Sequence, residues 1–384
     1  MLHSDMPVLR PYAWMLAGVF CLAMIAGLIG AFVPYDSVPT LYEFRTYAAF
    51  PTRADLARPT LIPSKLTSFF GDNFGGRKLL VREFFRFRLR MLQSDVGLPL
   101  VIGTNGWLLD AGEVGTFRSS SSMMSPEKVE RMRVVLNSWC SYAKARGAVL
   151  VFVVGPNKTT IYPAVPNYLP KKSGPSIIDR MNELKTECPF INVDVRPILR
   201  ANAHQLLYYK WGTHWNGTAA MLAWREIKSA VAQRGRQLKW PQSVVTVTER
   251  PAQPWEDSMW QWFGLPDPEE LSIPTPNYLD PKYDPQDTAE RAKILAFGDS
   301  YLAWMRPAFN EVAGTYSDWS FRPWQKVEYN EDDLRKDAWI VAVVPKWRSL
   351  ELMNAFKPNI VIVAVVERAV DQLADMPLPP SGGE

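Results

Sequence analysis

The chain has 384 residues, and 43 Lys and Arg against 39 Asp and Glu give it a formal charge of +4. Its 47% hydrophobic and 21% charged residues are close to the globular average, which excludes wholesale disorder, a collagen-like repeat and a polytopic membrane protein. The basic residues are spread along the chain and form no clustered stripe, so we do not expect nucleic-acid binding. One or two folded domains are expected.

The first located feature is an uncharged run of 22 residues from Tyr12 to Val33. A membrane-spanning helix needs about 20 apolar residues, and Tyr12, Trp14 and Tyr35 would lie at the two interfaces. The alternative is a cleaved signal peptide, whose apolar core is usually about 7–15 residues and is followed by a small-x-small cleavage site. Because the run is longer and no good cleavage site follows it, we expect an uncleaved transmembrane anchor.

The orientation of this anchor is only weakly indicated. Arg10 and the amino terminus oppose Asp5 on one side, whereas Arg45 and Arg53 lie further out on the other, so the charge rule barely discriminates. A single amino-terminal anchor commonly delivers a globular domain across the membrane. We therefore expect residues 1–11 to form a cytoplasmic tail and the rest of the chain to lie outside.

The cysteines leave the compartment open. Cys140 and Cys188 could pair in an oxidising compartment. Cys140 also falls in a helical pattern, where a buried free thiol is equally ordinary.

Residues 34–115 are predicted to form a helical leader and a hairpin. Arg77 to Gln93 has an amphipathic helical pattern, and Asn105-Gly106 between two apolar runs indicates a hairpin turn. Ser125 followed by Pro126 indicates an N-cap and a first-turn proline, which predicts a helix that ends before Gly147.

Four apolar runs without polar alternation are typical of strands buried on both faces of a parallel sheet. They cover residues 148–154, 190–194, 293–297 and 359–366. Helical stretches precede or follow them, which predicts an open α/β/α fold with its site in the loops after the strands' carboxyl ends. The stretch from Gly264 to Arg291 has six prolines, too many for the interior of a strand or helix, so we expect an ordered excursion near the site entrance or a long surface loop.

One of these loops carries a candidate nucleophile, Ser300, in the turn Gly298-Asp299-Ser300. A serine hydroxyl needs a base within hydrogen-bond reach. Of the three histidines, His3 is on the wrong side of the anchor and His204 is in a polar surface turn, which leaves His214. Neither motif alone is specific, because Gly-x-Ser often marks only a strand-to-helix turn and a histidine beside tryptophan is often simply packed. Asp299 is expected to brace the turn.

Together, His214-Trp215-Asn216 and Gly298-Asp299-Ser300, in this order and after these strands, resemble the alginate O-acetyltransferase family of periplasmic proteins that acetylate exopolysaccharides. Five further segments have counterparts in that family in the same order: Phe69 to Arg77, Val101 to Leu109, Pro156 to Pro163 with Tyr168 to Pro170, Asp257 to Leu265, and Lys357 to Val370. The resemblance covers nearly the whole chain. It implies an SGNH-hydrolase-like α/β/α sandwich with a mostly parallel sheet over residues 116–384, preceded by the transmembrane helix and the helical leader.

The resemblance also implies a mechanism, in which an acetyl group passes through Ser300 to a sugar hydroxyl. His214 would serve as the general base, and the backbone amides of Gly298 and Ser300 would hold the oxyanion. The acetyl group would be supplied by a polytopic membrane-bound O-acyltransferase, which would explain a tether in the inner membrane and a globular domain in the periplasm. No cofactor or metal is implied.

Several residues near the motifs are candidates for substrate binding. Lys158 would bind an acetyl or sugar oxygen or would be an ordinary surface lysine. Tyr301 and Arg306 are also assigned to the substrate. Tryptophans near the motifs would stack on sugar rings or belong to the core: Trp211, Trp215, Trp255, Trp260 and Trp304.

The chain departs from the family at one position. The family motif is Asp-x-His-Trp, in which the Asp orients the histidine, and Gly212 stands at the position of the Asp. Loss of such an acid costs other enzymes roughly 10⁴ in rate. The alternatives are replacement by Asp194 or Asp257, a weak Ser-His dyad, or a noncatalytic relative that binds polysaccharide or its synthesis partners. A carbohydrate acetylesterase, which releases acetate to water, is a further competing function.

Overall fold

The computed structural model describes residues 10–32, 47–88, 100–119, 124–164, 169, 174–235, 238, 240, 243–253, 256–257, 259–262, 275–285, 292–305, 315–316, 338–341, 357–376 and 378–379. The helices are α1 (Arg10–Gly30), α2 (Ile62–Asn73), α3 (Arg77–Phe87), α4 (Ala111–Ser119), α5 (Pro126–Ala145), α6 (Lys158–Ile161), α7 (Ile177–Glu183), α8 (Arg196–Ala201), α9 (Gly217–Gln233), α10 (Met259–Trp262) and α11 (Ser300–Ala303), with 3-10 segments at Arg53–Ala57, Pro59–Leu61, Thr104–Gly106 and Glu367–Asp375. The strands are β1 (Leu100–Ile102), β2 (Leu108–Asp110), β3 (Val149–Gly155), β4 (Ile191–Val193), β5 (Ser243–Pro251), β6 (Asn277–Pro285), β7 (Ile294–Gly298), β8 (Thr315–Tyr316), β9 (Ala338–Val341) and β10 (Ile360–Val366).

The chain divides into two compact units, one of Met1–Val96 with Met259–Pro274 and one of Gly97–Ser258 with Thr275–Glu384. The hairpin β1–β2 belongs to the second unit, whereas the sequence groups it with the leader.

In the first unit, the apolar helix α1 is long and apolar enough to cross a membrane. Its mean hydropathy is 2.2 and only 11% of the apolar window is buried, which differs from the core helix of a soluble domain. The end of α1 packs on the loop between α2 and α3, where the Gly75 amide donates to the Gly27 carbonyl at 2.8 Å. A Cβ on Gly75 would lie 2.6 Å from the Cα of Gly30, so this close approach requires glycine.

The second unit is built on a six-stranded sheet with the order β4-β3-β10-β7-β9-β8, in which every pair is parallel. All four strands predicted from apolar runs are present, as β3, β4, β7 and β10. They read as continuous apolar segments because both faces of the sheet are covered, and every residue of β10 is buried.

Alternate residues of the central strands feed two cores. Val151 and Val153 of β3 face the core formed with α8 and α9, and Leu150, Phe152 and Val154 face the core formed with α5 and α7. The predicted α/β/α sandwich is therefore confirmed.

The second core contains a disulfide between Cys140 of α5 and Cys188. The sequence leaves open either a disulfide or a buried free thiol at Cys140, and the structure contains the disulfide. Helix α5 begins as predicted, because the Ser125 side chain accepts a hydrogen bond from the Lys128 amide.

The predicted hairpin turn is confirmed, since Asn105 and Gly106 both have positive φ between the antiparallel strands β1 and β2. The prediction that the proline-rich stretch contains no strand is wrong. Strand β6 lies within it and pairs antiparallel with β5, although it includes Pro281 and Pro285. The two strands form an isolated ribbon, and edge strands tolerate proline because one side of each needs no amide donor.

Candidate active site

The Ser300 turn continues directly from the buried strand β7. Asp299 caps α11, with one carboxylate oxygen accepting from the Tyr301 amide at 2.9 Å and the other accepting from the amide of Val366. The prediction that Asp299 braces the turn is confirmed. Gly298 is required by close packing, since a Cβ there would lie 2.1 Å from the carbonyl oxygen of Ala364.

This turn leaves the hydroxyl of Ser300 available for reaction. Ser300 is partly exposed. Within the described part of the chain, its side chain makes no hydrogen bond. Its amide opens α11 and therefore has no intrahelical partner. These features suit an oxyanion donor, and the oxyanion role of Ser300 and Gly298 stays a prediction.

The His214 loop lies between Tyr209 and Asn216. The Tyr209 amide donates to the His214 carbonyl at 3.1 Å, and the Asn216 side chain caps α9. The indole of Trp215 donates to the backbone carbonyl of Tyr301 at 2.9 Å. This bond fixes the His214 loop to the Ser300 turn.

The imidazole of His214 lies beside the aromatic side chains of the Ser300 turn. The ring centroids are 5.7 Å from Tyr301 and 5.6 Å from Trp304. The Nδ1 atom is 3.2 Å from the hydroxyl of Thr213. The structure therefore brings the predicted base and nucleophile to the same edge of the sheet.

Gly212 lies in a position where no side chain fits. A Cβ there would lie 2.1 Å from the carbonyl oxygen of Glu256 and 2.9 Å from the Cβ of Tyr209. The Gly212 carbonyl accepts a hydrogen bond from Lys158 Nζ at 2.6 Å. The family's Asp would need the backbone at Glu256 to move away, so glycine is required here by packing.

Neither predicted replacement for the missing acid contacts His214. Among the residues that the structure describes, Asp194 accepts hydrogen bonds from Arg196 and Asn182 and has none with the imidazole. Its negative charge is neutralised by the neighbouring guanidinium of Arg196.

Asp257 also has other partners. It accepts from the Trp211 amide at 3.0 Å and from the Tyr278 hydroxyl at 2.8 Å. Asp257 thus holds the backbone that leads into the His214 loop, and it does not orient the ring. Burial raises the pKa of its carboxyl to about 6.

Four charged side chains form a cluster behind His214: Asp110, Glu113, Lys158 and Arg368. Arg368 connects the parts of the site, with Nε 3.5 Å from the Asp110 carboxylate and Nη2 donating to the Thr213 carbonyl at 3.4 Å. Its Nη1 lies 3.5 Å from the Tyr301 hydroxyl, which itself donates to Thr213 at 2.9 Å.

Burial and the charges of this cluster together determine the proton affinity of His214. Burial and the positive charges of Arg368 and Lys158 lower the pKa of His214 to about 3, against the opposing effect of Asp110. Asp110 is the one carboxylate, among those described, whose charge favours the imidazolium. Burial raises the pKa of Glu113 to about 7.

Asp110 and Arg368 were not identified as site residues from the sequence. Asp110 ends the hairpin strand β2, one residue beyond the segment Val101 to Leu109 that carries the family resemblance. Arg368 lies inside the closing segment Lys357 to Val370, so the resemblance included it without giving it a role. Arg368, a charged residue two positions after the end of the buried strand β10, is the sequence signal that could have indicated this part of the site.

Several predicted substrate-binding residues are buried instead. Lys158 is 1% exposed, so it is neither a surface lysine nor open to a sugar, because its amine is bonded to Gly212. Trp215 and Tyr301 are each 1% exposed and act as packing and hydrogen-bonding residues within the fold. Arg306 and Trp255 lie outside the described residues.

The other described tryptophans near the motifs include both core residues and a candidate for stacking on a sugar ring. Trp211 and Trp260 are buried. Trp304 is partly exposed beside the imidazole, so it is the described tryptophan that fits a sugar-stacking role best.

Comparison with known proteins identifies the family and the fold of the second unit's main domain. Residues 100–303, more than half of the chain, match the family model described as an SGNH hydrolase-like domain, acetyltransferase AlgX. The O-acetyltransferase domain of Pseudomonas putida AlgJ is similar over 72% of this chain and 99% of its own, with 18% identity and a TM-score of 0.51. This likeness and the family match establish the SGNH-like α/β fold.

Two further structures are similar at lower scores. Bacillus cereus PatB1 covers 71% of this chain and 96% of its own, with 9% identity and a TM-score of 0.47. Pseudomonas aeruginosa AlgX covers 72% of this chain and 67% of its own, with 14% identity and a TM-score of 0.44. No curated protein matches the chain.

Proposed function

Because the chain belongs to the AlgX family of SGNH hydrolase-like acetyltransferase domains, we propose that it is an O-acetyltransferase that acts on an exopolysaccharide through Ser300. The resemblance noted in the sequence is thereby confirmed as a family membership. The observation that carries the proposed mechanism is the position of the His214 imidazole against the α11 turn that presents Ser300.

The reaction proceeds in two steps, acetylation of Ser300 and transfer of the acetyl group to a sugar. The Ser300 oxygen attacks the acetyl carbonyl, its proton passes to neutral His214, and the leaving group departs with that proton. A sugar hydroxyl then attacks the acetyl-serine, gives its proton to His214, and Ser300 is restored. His214 is neutral at the start of each step because its pKa is lowered.

In this proposal, the function of the missing motif acid is divided between two residues. The Thr213 hydroxyl at 3.2 Å from Nδ1 orients the ring, and the negative charge of Asp110 stabilises the imidazolium that forms. Arg368 opposes the second effect, so the site is a weaker base than a family member with an acid hydrogen-bonded to its histidine.

The location proposed for the reaction is the periplasmic face of the inner membrane, with α1 as an uncleaved anchor. The long, exposed apolar helix and the disulfide support this placement, since disulfides persist in oxidising compartments. A tethered domain would receive acetyl groups from a polytopic membrane-bound O-acyltransferase.

The full-length protein in detergent tests the activity directly, with p-nitrophenyl acetate as the donor and a purified exopolysaccharide as the acceptor. We expect acetyl esters on the glycan with wild type and none with Ser300→Ala. Ser229→Ala, a change of an exposed serine on α9, should behave as wild type. Release of acetate without transfer would indicate an acetylesterase instead.

A noncatalytic polysaccharide-binding role is the second candidate, and Gly212 is the observation that favours it. Binding of the glycan by wild type and Ser300→Ala alike, with no turnover by either, would establish that role.

A further inference from the structure

Helix α3 of the first unit exposes an apolar face, which is unfavourable for a surface in contact with water. Its exposed residues include Leu80 at 60%, Phe84 at 53% and Phe87 at 54%, and these positions form one stripe along the helix. The basic residues of α3 are instead only partly exposed: Arg77, Lys78, Arg82 and Arg86. The apolar face therefore lacks cover within the described part of the unit.

This face lies near the end of the apolar helix α1. The loop before α3 is bonded to the last turn of α1, through Gly75 and Gly27, and α3 starts two residues later at Arg77. The Phe74 ring lies so close to α1 that a Cβ on Gly27 would be 1.9 Å from it. The first turn of α3 is therefore held at the level where the apolar span ends.

Aromatic side chains fix the same junction. Phe32, just after α1, lies 5.5 Å from Phe50, 5.6 Å from Phe69 and 5.9 Å from Phe70, measured between ring centroids. Phe50 and Phe69 are themselves 5.1 Å apart. Such a cluster holds α2 against the end of the anchor.

We propose that α3 lies in the outer interface of the bilayer, with its Leu and Phe stripe in the hydrocarbon boundary and its basic residues toward anionic lipid headgroups. This inference rests on the proposed anchor role of α1. An interfacial helix combines an apolar face with a basic one, and long basic side chains extend toward the headgroups. Glu83, the one acid of α3, is paired with Arg86 at 2.7 Å, so it adds no unpaired negative charge to the exposed face.

The helix would give the domain a second attachment to the membrane. With 11 residues at 1.5 Å each, α3 extends for about 16 Å. The bound surface is lipid, and no protein partner is required for it.

Spin labels on the full-length protein test this proposal in nanodiscs of phosphatidylethanolamine and phosphatidylglycerol. Single cysteines replace Leu80, Phe84 or Phe87 in a Cys21→Ser background, which removes the free thiol. Because these side chains are exposed, the substitutions should not disturb folding. Collision rates with oxygen and with a water-soluble nickel chelate report whether each label lies in hydrocarbon or in water.

Two reference positions make the outcomes distinguishable. Val19→Cys in the middle of α1 reports the anchor, and Ser229→Cys on α9 reports water. We expect the oxygen-to-nickel collision ratio at positions 80, 84 and 87 to exceed that at 229 several-fold. Water-like ratios at these three positions, with Val19→Cys in hydrocarbon, would overturn the proposal and leave the anchor intact. Protection that arises only after a membrane-bound acyltransferase is added would also overturn it, in favour of a protein partner. If Val19→Cys itself reports water, the anchor fails and the inference fails with it.

Discussion

The Ser300 turn is held by neighbours in the sheet, whereas the His214 loop is held by side chains from distant parts of the chain. Asp299 bonds to the next strand at Val366, and Gly298 packs on Ala364 of that strand. The His214 loop instead depends on Lys158 and Arg368, which bind the carbonyls of Gly212 and Thr213.

This difference affects how each part of the site tolerates change. The Ser300 turn follows from the geometry of a parallel sheet, so it persists whenever β7 and β10 form. The His214 loop needs the buried Lys158, the partly buried Arg368 and Gly212 at once. Small substitutions in this loop should therefore have large consequences.

The largest effect is expected at the nucleophile. Ser300→Ala should abolish acetylation of the host's exopolysaccharide, because no other hydroxyl replaces the acyl carrier. Protein abundance should stay unchanged, since the Ser300 side chain makes no hydrogen bond within the described residues. Acetyl content of the purified glycan and an immunoblot measure the two quantities, and unchanged acetyl content would favour a scaffold role.

The next largest effect is expected at Gly212. Gly212→Asp restores the letters of the family motif, but it should lower both activity and Tm because the new Cβ meets the Glu256 carbonyl. Gly212→Ala should do similar harm. Gly115→Ala is the matched control, since nothing lies within 4 Å of its added Cβ. A gain of turnover in Gly212→Asp would show that the loop adapts and that the dyad lacks an acid.

Asp110→Asn should lower turnover of an acetyl ester by on the order of 10²-fold, less than the roughly 10⁴ of a directly bonded acid. Asp194→Asn should have little effect, because Asp194 is paired with Arg196. Asp110→Glu should recover part of the loss if negative charge is what matters. Equal losses of turnover in the Asp110→Asn and Asp110→Glu variants would show that Asp110 acts by packing beside Arg368 and not through its charge.

Reduction of the Cys140–Cys188 disulfide should lower stability without changing the site. The bridge closes a sequence separation of 48 residues, for which chain entropy predicts about 4 kcal/mol. The paired variant Cys140→Ser with Cys188→Ser should show this as a lower Tm. Ester turnover per folded molecule should stay near that of wild type, and a specific loss of turnover would connect this core to the site.

The pH dependence of stability should show the low pKa of His214. The folded-state pKa is about 3 and the unfolded value is about 6.5, so the unfolded chain takes up the proton first as pH falls. This contribution to stability is complete above pH 6.5 and is lost between about pH 6.5 and 3. Relative to wild type, His214→Gln should therefore gain Tm progressively below pH 6 and show a constant difference above pH 7. A constant difference throughout would mean that the imidazole titrates normally.

The fold could be predicted to a large extent because it follows from local patterns. The buried strands β3, β7 and β10 read as apolar runs, and the Ser300 turn follows one of them directly. The acid near His214 could not be predicted in the same way. Asp194 and Asp257 were favoured because they follow a strand or lie in a family segment, but each has a nearby partner, Arg196 or Tyr278, that no pattern reveals.

The burial of Lys158 was missed for a related reason. A lysine in a loop is usually exposed, and only the long-range contact with the Gly212 carbonyl explains why this one is not. In contrast, the ribbon of β5 and β6 was missed because prolines argue against strands in general, although they are tolerated at an edge.

If Ser300 carries the acetyl group, the acetyl-serine intermediate can be trapped on the protein. The full-length protein would be mixed with an acetyl ester, quenched in acid within the first turnover and digested for mass spectrometry. We expect an acetyl group on the peptide that contains Ser300, absent in Ser300→Ala and slower to form in Asp110→Asn. An unmodified Ser300 peptide under conditions where the protein releases acetate, or acetylation of another residue in its place, would contradict it.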